Sequence, residues 1–91
     1  MSHSADQTLR QILADVLGLQ PERVAAFDSA TGLFGHLPEL DSMSVAGLLT
    51  EMEDRFGFII DDDEIDGELL ETYGSLFAFT EAKLAGSRTA P

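Results

Sequence analysis

The sequence predicts an all-α fold, a small four-helix bundle of three longer helices and a short third one, with a long loop between the first and second. Three observations predict it. Apolar residues recur at helical spacing along the chain, and capping residues stand at the ends of those stripes. The one strand-like run, Phe58-Ile59-Ile60, is too short for a sheet and has no second strand to pair with. At 91 residues the chain makes a single domain, expected over 4–84 with flexible tails at 1–3 and 85–91.

The first helix begins where Ser4 is followed three residues later by Gln7, a capping-box pattern that satisfies two orphan backbone N–H groups. Leu9, Ile12, Leu13, Val16 and Leu17 then form one stripe of a 3.6-residue period, and Gly18 suits the left-handed position that ends a helix. Pro21 fits the first turn of a short helical segment over Gln20–Val24. From there to about residue 40 periodicity fades. Leu33, Phe34, Leu37 and Leu40 give this stretch apolar anchors, so it reads as a packed crossover whose side chains plug the core.

The second helix is the clearest element. Val45, Leu48, Leu49, Met52 and Phe56 line one face, while Met43, Gly47, Thr50 and Asp54 fall on the other. Asp41 or Ser42 can cap its start, and Gly57 stands where a terminal glycine belongs. Phe58-Ile59-Ile60 follows as a buried connector. Asp61-Asp62-Asp63-Glu64 then places carboxylates at the favourable start of a short third helix holding Ile65, Leu69 and Leu70. Thr72 can cap a fourth helix carrying Tyr73, Leu76, Phe77, Thr80 and Leu84, with Phe79 as a competing core residue.

Composition narrows the function. Seventeen acidic residues against five Lys and Arg give a net charge of -12, which repels nucleic-acid phosphates and anionic headgroups, so neither nucleic acid nor an anionic membrane is an expected partner. The absence of Cys removes disulfides, thiolate zinc sites and a cysteine nucleophile, and no metal site is expected. No signal peptide or membrane span is evident, which predicts a cytoplasmic protein, expected as a monomer.

Chemistry concentrates at Glu39-Leu40-Asp41-Ser42-Met43-Ser44. A serine here has its hydroxyl at the positive end of the helix dipole, beside backbone N–H groups without intrahelical partners, where an anion such as a phosphodiester is accommodated. Asp-Ser at a helix start is also an ordinary cap, worth about 1 kcal/mol. The longer pattern carries more: Gly32-Leu33-Phe34, Leu40-Asp41-Ser42-Met43, then Leu48 to Gly57, in order.

This segment resembles the acyl carrier protein family, in which Asp-Ser-Leu or Asp-Ser-Met stands at the start of helix II. The likeness covers roughly residues 5 to 84: Pro21-Glu22-Arg23-Val24 looks like the turn after helix I, Asp62-Asp63-Glu64-Ile65 like helix III, and Glu71 to Leu76 like the start of helix IV. The resemblance implies a carrier and not an enzyme, with no catalytic residue. Its serine, here Ser42 beside the motif residue Asp41, is esterified by a phosphopantetheinyl transferase from coenzyme A. The resulting 4′-phosphopantetheine arm ends in a thiol that holds acyl or aminoacyl groups as thioesters for fatty-acid or polyketide-like biosynthesis. Ser44 is the rival position, rotated by about 200° and lacking the preceding Asp.

Partners follow from the same face. Met43, Gly47, Thr50 and Asp54, flanked by Glu51 and Glu53, suit enzymes with Arg or Lys around an apolar notch: the transferase, an acyl-loading ligase or acyltransferase, and downstream pathway enzymes. Ser44 and Gly47 stand where fatty-acid carriers typically have Asp and Glu, and Phe34-Gly35-His36-Leu37-Pro38-Glu39 replaces a shorter approach. The first departure argues against general recognition by fatty-acid synthase enzymes, and the second resembles stand-alone carriers of specialised bacterial pathways. Two other readings start from the acids. One is an acidic adaptor; the other is an EF-hand-like calcium protein, with Asp62, Glu64, Asp66, Gly67 and Glu68 imitating a loop opening but Tyr73 where the bidentate Glu belongs. A serine hydrolase would need His36 as base and has no nucleophile elbow.

Overall fold

The computed structural model describes residues 2–89, with side chains over 5–86. In chain order the elements are α1 (Ser2–Leu17), α2 (Pro21–Ala25), α3 (Ser42–Phe56), a single 3-10 turn at Asp62–Glu64, and α4 (Tyr73–Thr89). Long α1 is the common support: α2, α3 and α4 all pack on it. The side between α3 and α4 is filled by the two loops.

The apolar stripes go where their spacing sends them. Leu9, Ile12 and Leu13 of α1, Leu48 and Met52 of α3, and Leu76 of α4 are fully buried, as is Leu33 from the crossover. Burial of one such side chain contributes about 1.5–3 kcal/mol, so this set drives the fold. Thr80 is buried among them and stays satisfied, its hydroxyl donating to the Leu76 carbonyl at 2.9 Å. Phe77, Phe79 and Leu84 pack half-buried on the edge, so neither phenylalanine wins the core.

The ends of the helices follow the capping logic. Asp41 is the cap of α3, accepting from the N–H groups of Met43 (3.1 Å) and Ser44 (2.9 Å). Gly57 closes α3 at φ 78°, a left-handed conformation costly for any residue with a Cβ. Thr72 caps α4 reciprocally with Ser75: each side-chain oxygen accepts from the other's N–H at 3.1 Å.

Several expectations need correction. The first helix starts at Ser2 and not after a Ser4 cap; the Ser4 side chain lies outside the described residues. The fourth helix runs to Thr89, past the Leu84 boundary assigned to the domain; Ala85 to Thr89 contains no proline, and the one Gly86 costs only about 1 kcal/mol. The third helix is only one 3-10 turn. Three local bonds replace it: the Glu64 carboxylate accepts from the Asp61 N–H, and the Asp66 carboxylate accepts from the Glu68 and Leu69 N–H groups, forming an Asx-type turn in place of helical bonds. Leu69 and Leu70 still reach the core, whereas Ile65 is exposed.

The Phe58-Ile59-Ile60 connector is extended and alternates, burying Phe58 and Ile60 and exposing Ile59. In the crossover Leu33, Leu37 and Leu40 are buried as expected, but Phe34 is 48% exposed. Phe27 takes a core place that periodicity did not assign, its ring 6.1 Å from that of Tyr73.

Crossover and second loop are joined edge to edge. Leu33 N–H donates to Glu71 O (3.0 Å), Phe34 N–H to Leu70 O (2.8 Å), and Tyr73 N–H to Thr31 O (2.8 Å), around an antiparallel bridge of Gly32 with Thr72. Gly74 extends this seam, its N–H on Ser29 O at 3.0 Å. These bonds satisfy backbone groups that packing would otherwise leave dry, and they fix Phe34 at the rim above α3.

Candidate functional site

Ser42 opens α3 just after its cap. It is exposed, and among the described residues no protein group hydrogen-bonds its hydroxyl. Ser44, two residues on, is half-buried and its hydroxyl donates to the Glu39 carbonyl at 3.0 Å. The two serines therefore differ in reach, as the rotation between them predicts.

Asp41 has a structural role beside Ser42. The amide donations, led by that of Ser44, hold its carboxyl below the usual range and keep it charged at the positive end of α3. One expectation changes here. The N–H groups of Met43 and Ser44, foreseen as donors to an anion on Ser42, are already taken by Asp41.

Clefts open on both sides of Ser42. One of about 280 Å³ lies toward the second loop, lined by Phe34, Val45, Leu70, Gly67 and Asp66 with Ser42. Another, of about 490 Å³, runs along the crossover between Phe34 and Leu40 and includes His36, Asp41 and Ser42. Phe34 stands between them, which explains why so large a ring is not in the core. A third, of about 360 Å³, follows α3 past Ala46, Thr50 and Glu53 to Ile65. Phe34, His36 and Leu70 were not assigned to the site from sequence; the aromatic eight residues before Ser42 was the available signal.

The proposed partner face is brought together only in part. Met43 is 85% exposed, and Thr50 and Asp54 are open to solvent beside it. Gly47 is exposed at the α1 edge, where an added Cβ would lie 3.8 Å from Val16. Glu51 is ion-paired with Arg55 at 2.7 Å, and Arg55 also reaches Asp15 of α1 at 2.9 Å. Glu53 turns inward, accepting from the Ile60 N–H at 2.8 Å. It anchors the connector.

The calcium-like segment is organised otherwise. Glu64 takes the Asp61 N–H and the Lys83 ammonium (2.9 Å), and Asp66 caps its own turn, so these carboxylates do not converge. Nor do Ser42, His36 and Asp41 form a relay, since Asp41 is bound to amides and no hydrogen bond links the three among the described residues. No helix among the described residues is long and apolar enough to cross a membrane.

A small helical fold that displays an exposed serine at the start of a capped helix, with apolar clefts beside it, suits the class of carrier proteins. The phosphopantetheine attachment site family matches residues 7–79, and the chain belongs to that family of phosphopantetheine-bearing acyl carriers. The fold is similar to the solution structure of a holo acyl carrier protein from Nitrosomonas europaea, at 45% identity and a TM-score of 0.80, over 88% of this chain and 95% of that one. A search of curated proteins gave no match. The chain is thus a carrier of covalently attached 4′-phosphopantetheine, not a catalyst, which overturns the adaptor, calcium and hydrolase readings.

Proposed function

We propose that Ser42 is the attachment residue and that the chain presents acyl groups on its arm to the enzymes of a biosynthetic pathway. The carrying observation is the contrast between the two serines: Ser42 is exposed with an unengaged hydroxyl, and Ser44 is bonded back to Glu39. The residues present fit a serine-linked phosphodiester, because the hydroxyl points into open clefts and Asp41 fixes the helix start beneath it. When attached, the arm supplies a terminal thiol that holds cargo as a thioester.

The chain's own work is presentation. Asp41 keeps Ser42 at a rigid helix end, and Phe34, Val45 and Leu70 offer apolar cover beside it, which favours acyl over polar aminoacyl cargo. Exposed Met43, Thr50 and Asp54 form a face for the phosphopantetheinyl transferase, an acyl-loading ligase or acyltransferase, and later enzymes. Twelve acids between Glu39 and Glu71 against the single base Arg55 suit partners with basic patches, and such association weakens as salt screens it beyond about 8 Å. The sparse acidity of the first two turns of α3 supports a dedicated, specialised partner set.

The test is to incubate apo protein with coenzyme A, magnesium and a broad-specificity phosphopantetheinyl transferase, then measure intact mass. The wild type gains the arm and Ser42→Ala does not. No gain in the wild type sinks the assignment, and a gain surviving in Ser42→Ala moves the site to Ser44.

A further inference from the structure

Attachment at Ser42 would bring a permanent anion into an acidic region, and two of the backbone donors that follow it are taken. Met43 and Ser44 N–H groups bind Asp41. The cationic side chains are engaged too: Arg10 with Asp6, Arg23 with Glu39, Arg55 with Glu51 and Asp15, Lys83 with Glu64. Arg88 has its side chain outside the described residues. One donor-capable side chain shares the larger cleft with Ser42 and has no partner there: His36.

The imidazole is also held in place. A Cβ built on Gly32 would fall 2.3 Å from His36 Cδ2 and 2.4 Å from Cγ, so the ring lies directly on the bare Gly32 backbone. Gly32 itself belongs to the seam with Thr72, and the His36 N–H donates to Leu33 O at 3.0 Å.

Resting on attachment at Ser42, we propose that His36 donates an N–H to the phosphodiester and so holds the base of the arm in the cleft along the crossover. This leaves the cleft of Phe34, Val45 and Leu70 on the other side of the ring for cargo. Of the nearby carboxylates, Asp41 lines the same cleft and is bound to amides, and Glu39 is paired with Arg23 at 2.8 Å; these contacts hold both below the usual carboxylate range.

Holo protein, its arm verified by intact mass, is followed by phosphorus NMR between about pH 5 and 8, where imidazoles exchange their proton while a phosphodiester does not titrate. The wild-type resonance should shift through this range. His36→Gln should lose the shift while keeping the mass gain and the folded amide spectrum. Gly32→Ala, which displaces the ring without removing it, should reduce it. A flat wild-type response, or one that persists in His36→Gln, overturns the contact. A missing mass gain, or one that survives in Ser42→Ala, instead removes attachment at Ser42 and the contact with it.

Discussion

Replacing glycine by alanine inside a helix ordinarily stabilises a protein by up to about 1 kcal/mol. Gly74, in the first turn of α4, should do the opposite. A Cβ built there lies 2.7 Å from Ser29 O and 2.8 Å from Ser29 Cβ, and the close oxygen is backbone, which cannot swing aside as a side chain would. Relieving that overlap costs about 1–3 kcal/mol. It also parts the Gly74 N–H from Ser29 O, a bond worth about 0.5–1.5 kcal/mol net. The helix-propensity gain is smaller than these losses together, so Gly74→Ala should destabilise by about 2 kcal/mol. For a domain of this size that lowers Tm by about 8–16 °C, read by far-UV circular dichroism on heating. Gly86→Ala is the control: in the same helix, with no atom within 4 Å of its added Cβ, it should hold or raise Tm. If Gly74→Ala melts at or above the wild-type temperature, the close seam between the 28–32 segment and the start of α4 is not rigid, and the reasoning fails.

Three further outcomes are expected. Leu48→Ala and Met52→Ala, each removing a fully buried side chain under the site, should cost about 2–5 kcal/mol in urea unfolding with the slope unchanged. The single tyrosine, Tyr73, has its phenol pushed well above the usual range by burial and then by the Asp6 carboxylate it donates to. The unfolded chain gives up this proton near pH 10 while the folded chain keeps it, so the contribution is complete below about pH 10 and lost as pH rises further. Phenolate absorbance should therefore rise together with loss of the circular dichroism signal; reversible ionisation near pH 10 with an intact fold contradicts it. Finally, a charge of -12 repels itself, and raising sodium chloride at neutral pH should raise Tm; a fall would show that the ion pairs outweigh the repulsion.

The helices were legible because their signals are local. The α3 stripe, Asp41 before it and Gly57 after it all lie within one short segment, and each acts on its own neighbours. The proposal of Ser42 comes from motif order, which a sequence displays directly. The clefts were not, because Phe34 stands at the rim for a reason located 36 residues away, where Leu70 O receives its N–H. Nor could spacing show that Glu53 faces inward: on a helical wheel it flanks the open face, and only the path of the connector back to Ile60 turns it. The third helix failed for the opposite reason. Its acids suit a helix start, but Asp66 sits where a side chain competes with the helical bonds, and the turn wins.

That α1 supports the other three helices gives the molecule an uneven resistance to opening. Pulling α3 from α4 breaks no large helix-to-helix interface; the material between them is loop, held by a few backbone bonds and by Leu69 and Leu70. The residues around Ser42 thus sit over the part of the structure expected to open at the lowest free energy, while the α1 frame is expected to open last. A guest on the proposed arm would then be let in at the rim while the α1 frame stays in place.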